Sequence, residues 1–104
     1  MKKSEQQIQK EIMLEVSKLG HTVFRNNTGR LQNKFGSWVN YGLCKGSSDL
    51  IGWTKDGKFL AIEVKAPGKK PTEAQLNFID KVNDAGGIAF CTDKVSDIYI
   101  FLKK

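Results

Sequence analysis

The chain has 104 residues, 39% hydrophobic and 27% charged, which suits one soluble domain over residues 1–104 with a single core. Its 17 Lys and Arg against 11 Asp and Glu leave a net charge of +6, and that excess favours an anionic partner, nucleic acid being the commonest. No apolar run approaches the roughly 18 residues of a membrane span, the start MKKSEQQIQK lacks the apolar stretch of a secretory signal, and two cysteines with one histidine are too few for a structural zinc site.

Ser4 opens the first helix. Gln7, three residues on, completes a capping box, and Gly20 marks the stop. Ile8, Ile12, Val16 and Leu19 recur at helical spacing and form its apolar stripe. HTVFRN then alternates and predicts a strand. Residues 26–37, rich in Asn, Gly, Gln and Lys, predict an exposed loop. SWVNYG predicts a short strand, and LCKGSS a connection. DLIGWT and KFLAIEVK predict two strands joined at Lys55-Asp56-Gly57, a hairpin signal. Pro67, Gly68 and Pro71 break the chain before a helix that Thr72 and Gln75 cap and Gly86-Gly87 end. GIAFCT is a continuous apolar strand. Strand, helix, strand makes a βαβ unit, so this strand should run parallel to KFLAIEVK. The tail, with Val95, Ile98, Tyr99 and Leu102, fits a short helix. The fold class expected is an α/β sandwich with a mixed central sheet, its basic pattern α-β-β-β-α-β-α. Cys44 and Cys91 read as reduced packing residues, and the compartment as cytosolic.

LAIEVKAP, residues 60–67, is a buried-strand pattern interrupted by two charges. Side chains at i and i+2 of a strand share a face with roots about 6 to 7 Å apart, so Glu63 and Lys65 look the same way. Burying them is costly unless they are paired or bound to a metal; the competing reading is a strand end whose charges reach solvent. Asp49 shifts that balance. A two-residue Asp56-Gly57 turn would pair Asp49 with Val64, on the wrong face. A three-residue Lys55-Asp56-Gly57 loop, with Gly57 left-handed, pairs Thr54 with Lys58 and therefore Asp49 with Glu63. Two carboxylates so placed repel unless a cation sits between them. Mg²⁺ takes oxygen ligands and often uses one or two carboxylates. Glu5 falls in the angular sector of the apolar stripe and is a third candidate acid, although a first-turn carboxylate is also favoured by the helix dipole alone.

In this order the motifs resemble the VRR-NUC (virus-type replication-repair nuclease) family of the PD-(D/E)XK nuclease superfamily. SEQQIQKEI is similar to the family's opening helix with its acid, here Glu5. FRNNTG is similar to the basic-Asn stretch after the first strand, and GSSDLIGW to the segment carrying the metal-binding Asp, here Asp49. AIEVKAPGKKPTEAQ is similar to the Glu-any-Lys strand followed by a helix with a Gln, here Gln75. Ser48 stands where the superfamily name implies proline.

The resemblance implies a restriction-endonuclease-like fold and a metal-dependent DNA endonuclease that uses Mg²⁺, with Mn²⁺ able to substitute, and no organic cofactor. Asp49, Glu63 and the backbone carbonyl of Val64 would hold the metal, and Glu5 would join directly or through water. Lys65 would orient or help deprotonate the attacking water. Gln75 would be catalytic or serve only as Thr72's capping partner. Arg25, Arg30, Lys34, Lys45, Lys69 and Lys70 are the expected phosphate contacts. The resemblance further implies branched or four-way DNA, a homodimer, and a role in bacterial or phage replication, recombination or repair. Trp38, Tyr41 and Trp53 are expected in the core or at a dimer contact. The alternatives are a sequence-specific restriction-type nuclease, for which the chain has no added recognition domain, and a non-catalytic nucleic-acid-binding module.

Overall fold

Helix α1 (Glu5–Lys18) begins where its cap dictates. Ser4 Oγ accepts from Gln7 N–H at 3.1 Å, and Gln7 Oε1 accepts from Ser4 N–H at 2.8 Å. Two amides that a helix start leaves unpaired are thereby satisfied. The computed structural model describes residues 2–102; Met1, Lys103 and Lys104, part of the domain expected over 1–104, lie outside the described residues. After α1 the chain runs β1 (Thr22–Arg25), β2 (Gly29–Gln32), β3 (Trp38–Tyr41), β4 (Leu50–Trp53), β5 (Phe59–Val64), α2 (Glu73–Asp84) and β6 (Ile88–Thr92). A 3-10 turn at Val95–Asp97 leads into α3 (Ile98–Phe101).

The central sheet has the order β1-β4-β5-β6. β4 is antiparallel to β1 and β5, and β6 is parallel to β5, as the βαβ unit requires. With its helices this sheet is the expected α-β-β-β-α-β-α in a mixed sandwich. Period-two alternation splits its side chains between two layers. Leu50, Leu60, Ile62, Val64 and Phe90 face α1, packing on Ile8, Ile12 and Val16 together with Ile98 and Leu102. Ala61 and Ala89 face α2, where Ile79, Phe78 and Val82 cover them. Each large aliphatic side chain so buried stabilises the fold by roughly 1.5–3 kcal/mol. Helix α2 repeats the capping device: Thr72 Oγ1 accepts from Gln75 N–H at 3.2 Å, and Gln75 Oε1 accepts from Thr72 N–H at 2.8 Å. Its far end is tied to the next strand by Asn83, whose side chain both donates to and accepts from Ala89.

The expected loop over residues 26–37 is corrected in part. Gly29–Gln32 forms β2 and pairs antiparallel with β3 in a separate two-stranded sheet. The Asn33 side chain builds the turn, its Oδ1 accepting from Phe35 and Ser37 N–H. Gly-Arg-Leu-Gln has no β-branched or aromatic residue and no alternation, so nothing in its composition marks a strand; pairing with Trp38-Val39-Asn40-Tyr41 makes it one. Trp38, Tyr41 and Trp53 are all exposed, which removes them from the core. No helix among the described residues is long and apolar enough to cross a membrane.

Candidate active site

Register brings the site together, and the turn between β4 and β5 sets the register. Thr54 N–H donates to Lys58 O at 2.8 Å, and Gly57 sits at φ +90°, a conformation that L side chains rarely adopt. This is the three-residue loop expected from Lys55-Asp56-Gly57. Leu50 therefore pairs with Ile62 and Ile51 with Ala61. One further step along the same register sets Asp49 opposite Glu63, on the α2 side of the sheet. Asp49 Oδ2 accepts from Val64 N–H at 2.8 Å, so its carboxylate lies across the end of β5.

Glu63 is 2% exposed, inside a run of buried residues from Leu60 to Val64. Its Oε2 lies 3.5 Å from Lys65 Nζ. Its Oε1 is buried without a hydrogen-bond partner. Burial, and then the charge of Asp49, push its carboxyl up to about 8, while Lys65 pulls the other way. A buried carboxylate oxygen aimed at no donor, next to a second carboxylate, fits a divalent cation. The oxygens placed to ligate one are those of Asp49 and Glu63. That is a hard donor set, and it suits a Mg²⁺ ion that keeps several waters. Among the described residues no group of three His, Cys, Asp or Glu side chains gathers around one point, so the site offers a pair of acids.

The other expected residues are distributed around this pair. Cys91 stands opposite Glu63 on β6, its thiol pushed up to about 11 mainly by burial. Lys65, Lys69 and Cys91 wall a cleft of about 260 Å³. Glu5 is corrected in depth. It shares the angular sector of Ile8 and Ile12, but it lies a turn before the first buried position and is exposed. That end of α1 does reach the edge where β5 and β6 finish, since Lys3, Ile8 and Glu11 share a cleft with Pro67 and Asp93. The Gln75 Oε1 is occupied by the cap of α2. Arg25, Arg30, Lys34, Lys45, Lys69 and Lys70 are all exposed.

Sequence reasoning missed Asn26. Its backbone N–H donates to Asp49 O at 2.7 Å. Its Nδ2 donates to Ser47 Oγ at 2.7 Å and Ser48 O at 2.9 Å, and its Oδ1 accepts from Leu43 N–H at 3.1 Å. One side chain thus pins the segment that delivers Asp49. Gly46, at φ +84°, supports the same segment from below, because a Cβ there would meet the Ala74 carbonyl oxygen of α2 at 2.7 Å. The signals in the sequence were the likeness of FRNNTG to the family's basic-Asn stretch and the Asn-Asn pair just after β1, which reads equally as turn chemistry.

Comparison with curated proteins found no match, and comparison with solved structures found none either. The VRR-NUC domain model matches residues 3–94, from the first cap to the end of β6 and just beyond. The chain therefore belongs to the VRR-NUC family and carries a nuclease domain.

Proposed function

We propose that this nuclease domain is a divalent-metal-dependent DNA endonuclease that hydrolyses phosphodiester bonds and prefers branched DNA. The observation that carries the proposal is the unpartnered, buried Glu63 Oε1 beside Asp49. Asp49, Glu63 and the Val64 carbonyl hold Mg²⁺, with Mn²⁺ able to replace it. When bound, the cation supplies Lewis-acid polarisation of the phosphate and a more acidic water. Lys65, on the same face as Glu63, orients the attacking water, helps take its proton and offsets phosphate charge. The Val64 N–H fixes the Asp49 carboxylate and the Asn26 N–H fixes the Asp49 backbone carbonyl, so the site is positioned before substrate arrives. Glu5 joins from the first turn of α1 through water. Gln75 acts from the first turn of α2 through its amide N–H₂.

The exposed cations near the hairpin and after β5 hold phosphates and set the register of the strand without reading sequence. A homodimer belongs to the same proposal, since a four-way junction has two symmetric cuts and one domain carries one site. The cellular setting implied is a bacterial or phage one, in replication, recombination or repair.

The test is cleavage of duplex, flap, single-strand and four-way DNA with Mg²⁺ or Mn²⁺, beside EDTA and Glu63→Ala. Activity confined to metal and parent protein supports the proposal; full activity in EDTA overturns it. DNA binding that falls steeply with salt but never leads to cleavage favours the non-catalytic module instead. Light scattering with and without junction DNA reads the dimer, and a monomer throughout removes that part alone.

A further inference from the structure

The β2–β3 hairpin stands off the sandwich, and nothing in the core explains it. All four residues of β3 and three of the four in β2 are exposed. Its register sorts the side chains onto two faces. One face carries Leu31, Val39 and Tyr41. The other carries Arg30, Gln32, Trp38 and Asn40, a cation, two amides and an indole. On that second face Arg30 lies over the Trp38 ring, 5.2 Å from its centroid. At the turn Lys34 lies over the Phe35 ring at 5.3 Å. Trp38 is 59% exposed and Phe35 82%. A groove of about 730 Å³ runs along the hairpin and its return, with Arg30, Trp38, Asn40 and Lys45 in its walls.

Charge selects the occupant. Between Glu15 and Asp49 the sequence contains no acidic residue, while Lys18, Arg25, Arg30, Lys34 and Lys45 all fall there. Exposed aromatic rings interleaved with cations, in a groove without a carboxylate, match the chemistry of a strand whose bases are free to stack and whose phosphates need neutralising. Inside a paired duplex the base faces are stacked on one another and closed to Trp38. The hairpin is also fixed to the site, since Asn26 at its base bonds to Ser47, Ser48 and the Asp49 carbonyl.

We infer that the Arg30–Trp38 face of the β2–β3 hairpin is a stacking platform for unpaired DNA bases, held at a fixed offset from Asp49. This rests on the nuclease proposal and names the substrate feature it selects: a single-stranded segment next to the cut, as at a branch. The inference is specific to Trp38. Trp53, the other tryptophan, lies on the central sheet against Phe24.

The experiment uses the full chain with Trp53→Phe, so that emission comes from Trp38 alone, in EDTA to stop metal-dependent cleavage. An oligo-dT strand, a blunt duplex of equal length and a fork with one single-stranded arm are titrated in. The expected result is quenching of Trp38 by oligo-dT and by the fork. In unlabelled binding assays, Trp38→Ala should weaken both by roughly tenfold and leave the blunt duplex unchanged. Trp38→Phe should keep most of the affinity, and Arg30→Gln should lose part of it. Unchanged melting temperatures establish that the variants fold. Absent quenching with unchanged affinity overturns the inference. So does a Trp38→Ala variant that turns a dimer into a monomer while binding oligo-dT normally, since Trp38 would then be a self-contact. Quenching without cleavage in Mg²⁺ keeps the platform and removes the nuclease proposal; junction cleavage with a silent Trp38 does the reverse.

Discussion

Replacing Glu63 with glutamine should abolish cleavage and yet stabilise the metal-free protein. In the fold the Glu63 carboxyl is pushed from its ordinary value of 4.5 to about 8, chiefly by burial and then by Asp49. A raised acid means that the folded chain binds more protons than the unfolded one. Stability from this group is therefore fully present below 4.5 and is lost as pH rises through 8. At about 1.36 kcal/mol per pH unit, the interval from 4.5 to 7 costs the fold about 3 kcal/mol at pH 7, and less than about 1 kcal/mol at pH 5. Glutamine keeps the shape and carries no charge. A change of 1 kcal/mol moves the melting temperature of a domain this size by about 4–8 °C. In EDTA the Glu63→Gln variant should then melt about 10 °C or more above the parent at pH 7, and within a few degrees of it at pH 5. Mg²⁺ should raise the parent, by about 2.7 kcal/mol at a hundred times its dissociation constant, and leave the variant unmoved. Calorimetric scans at the two pH values, with and without Mg²⁺, read all four quantities. An equal gap between parent and variant at pH 5 and pH 7 would refute the reasoning, as would a Mg²⁺ response that survives the substitution.

Three further outcomes follow from the same geometry. Lys65→Ala should lose cleavage and keep most DNA affinity in gel-shift titrations, because one lysine beside Glu63 serves the reaction more than the grip. Asn26→Ala removes bonds to Ser47, Ser48 and Leu43; it should cost about 1–3 kcal/mol in urea unfolding and lower the cleavage rate of the remaining folded protein, whereas an unchanged rate would show that Asp49 needs no such support. Ser48→Ala should raise stability by about 1 kcal/mol, since the Ser48 hydroxyl is buried without a partner; a loss of stability would mean that the hydroxyl has one.

Local chemistry was legible in the sequence, and distant chemistry was not. Both capping boxes lie within four consecutive residues, so Ser4-Gln7 and Thr72-Gln75 located α1 and α2 directly. The β4–β5 register was legible because Lys55-Asp56-Gly57 permits only one loop that keeps two acids on one face. By contrast, the Asn26 side chain bonds to residues 17 to 22 positions away, and no local pattern announces such a partner. Glu5 shows a related limit. A helical wheel gives the angle of a side chain around the axis, while its depth depends on where the neighbouring sheet ends. Strand β2 was hidden because its pairing partner, and not its own residues, makes it a strand.

Glu63 stands apart from the other carboxylates of the fold. Other carboxylates in the fold have work that stabilises it: Asp49 accepts from Val64 N–H, Asp97 from Thr92 Oγ1, and Glu15 from Tyr99. Glu63 is the one buried carboxylate among the described residues with an oxygen left unpaired, and Lys65 at 3.5 Å neutralises it only in part. An aliphatic residue there would continue the packing of Ala61 and Ala89 and remove the penalty. The strand tolerates this buried acid because Leu60, Ile62 and Val64 are wholly buried on the opposite face, each contributing roughly 1.5–3 kcal/mol. Their sum exceeds the cost of about 3 kcal/mol that Glu63 imposes near neutral pH. A fold that holds an unpaired acid against a second acid, on its most buried strand, carries a local conflict that packing does not resolve. A cation between the two carboxylates would resolve it, which is the role the proposed metal-dependent hydrolysis gives this pair.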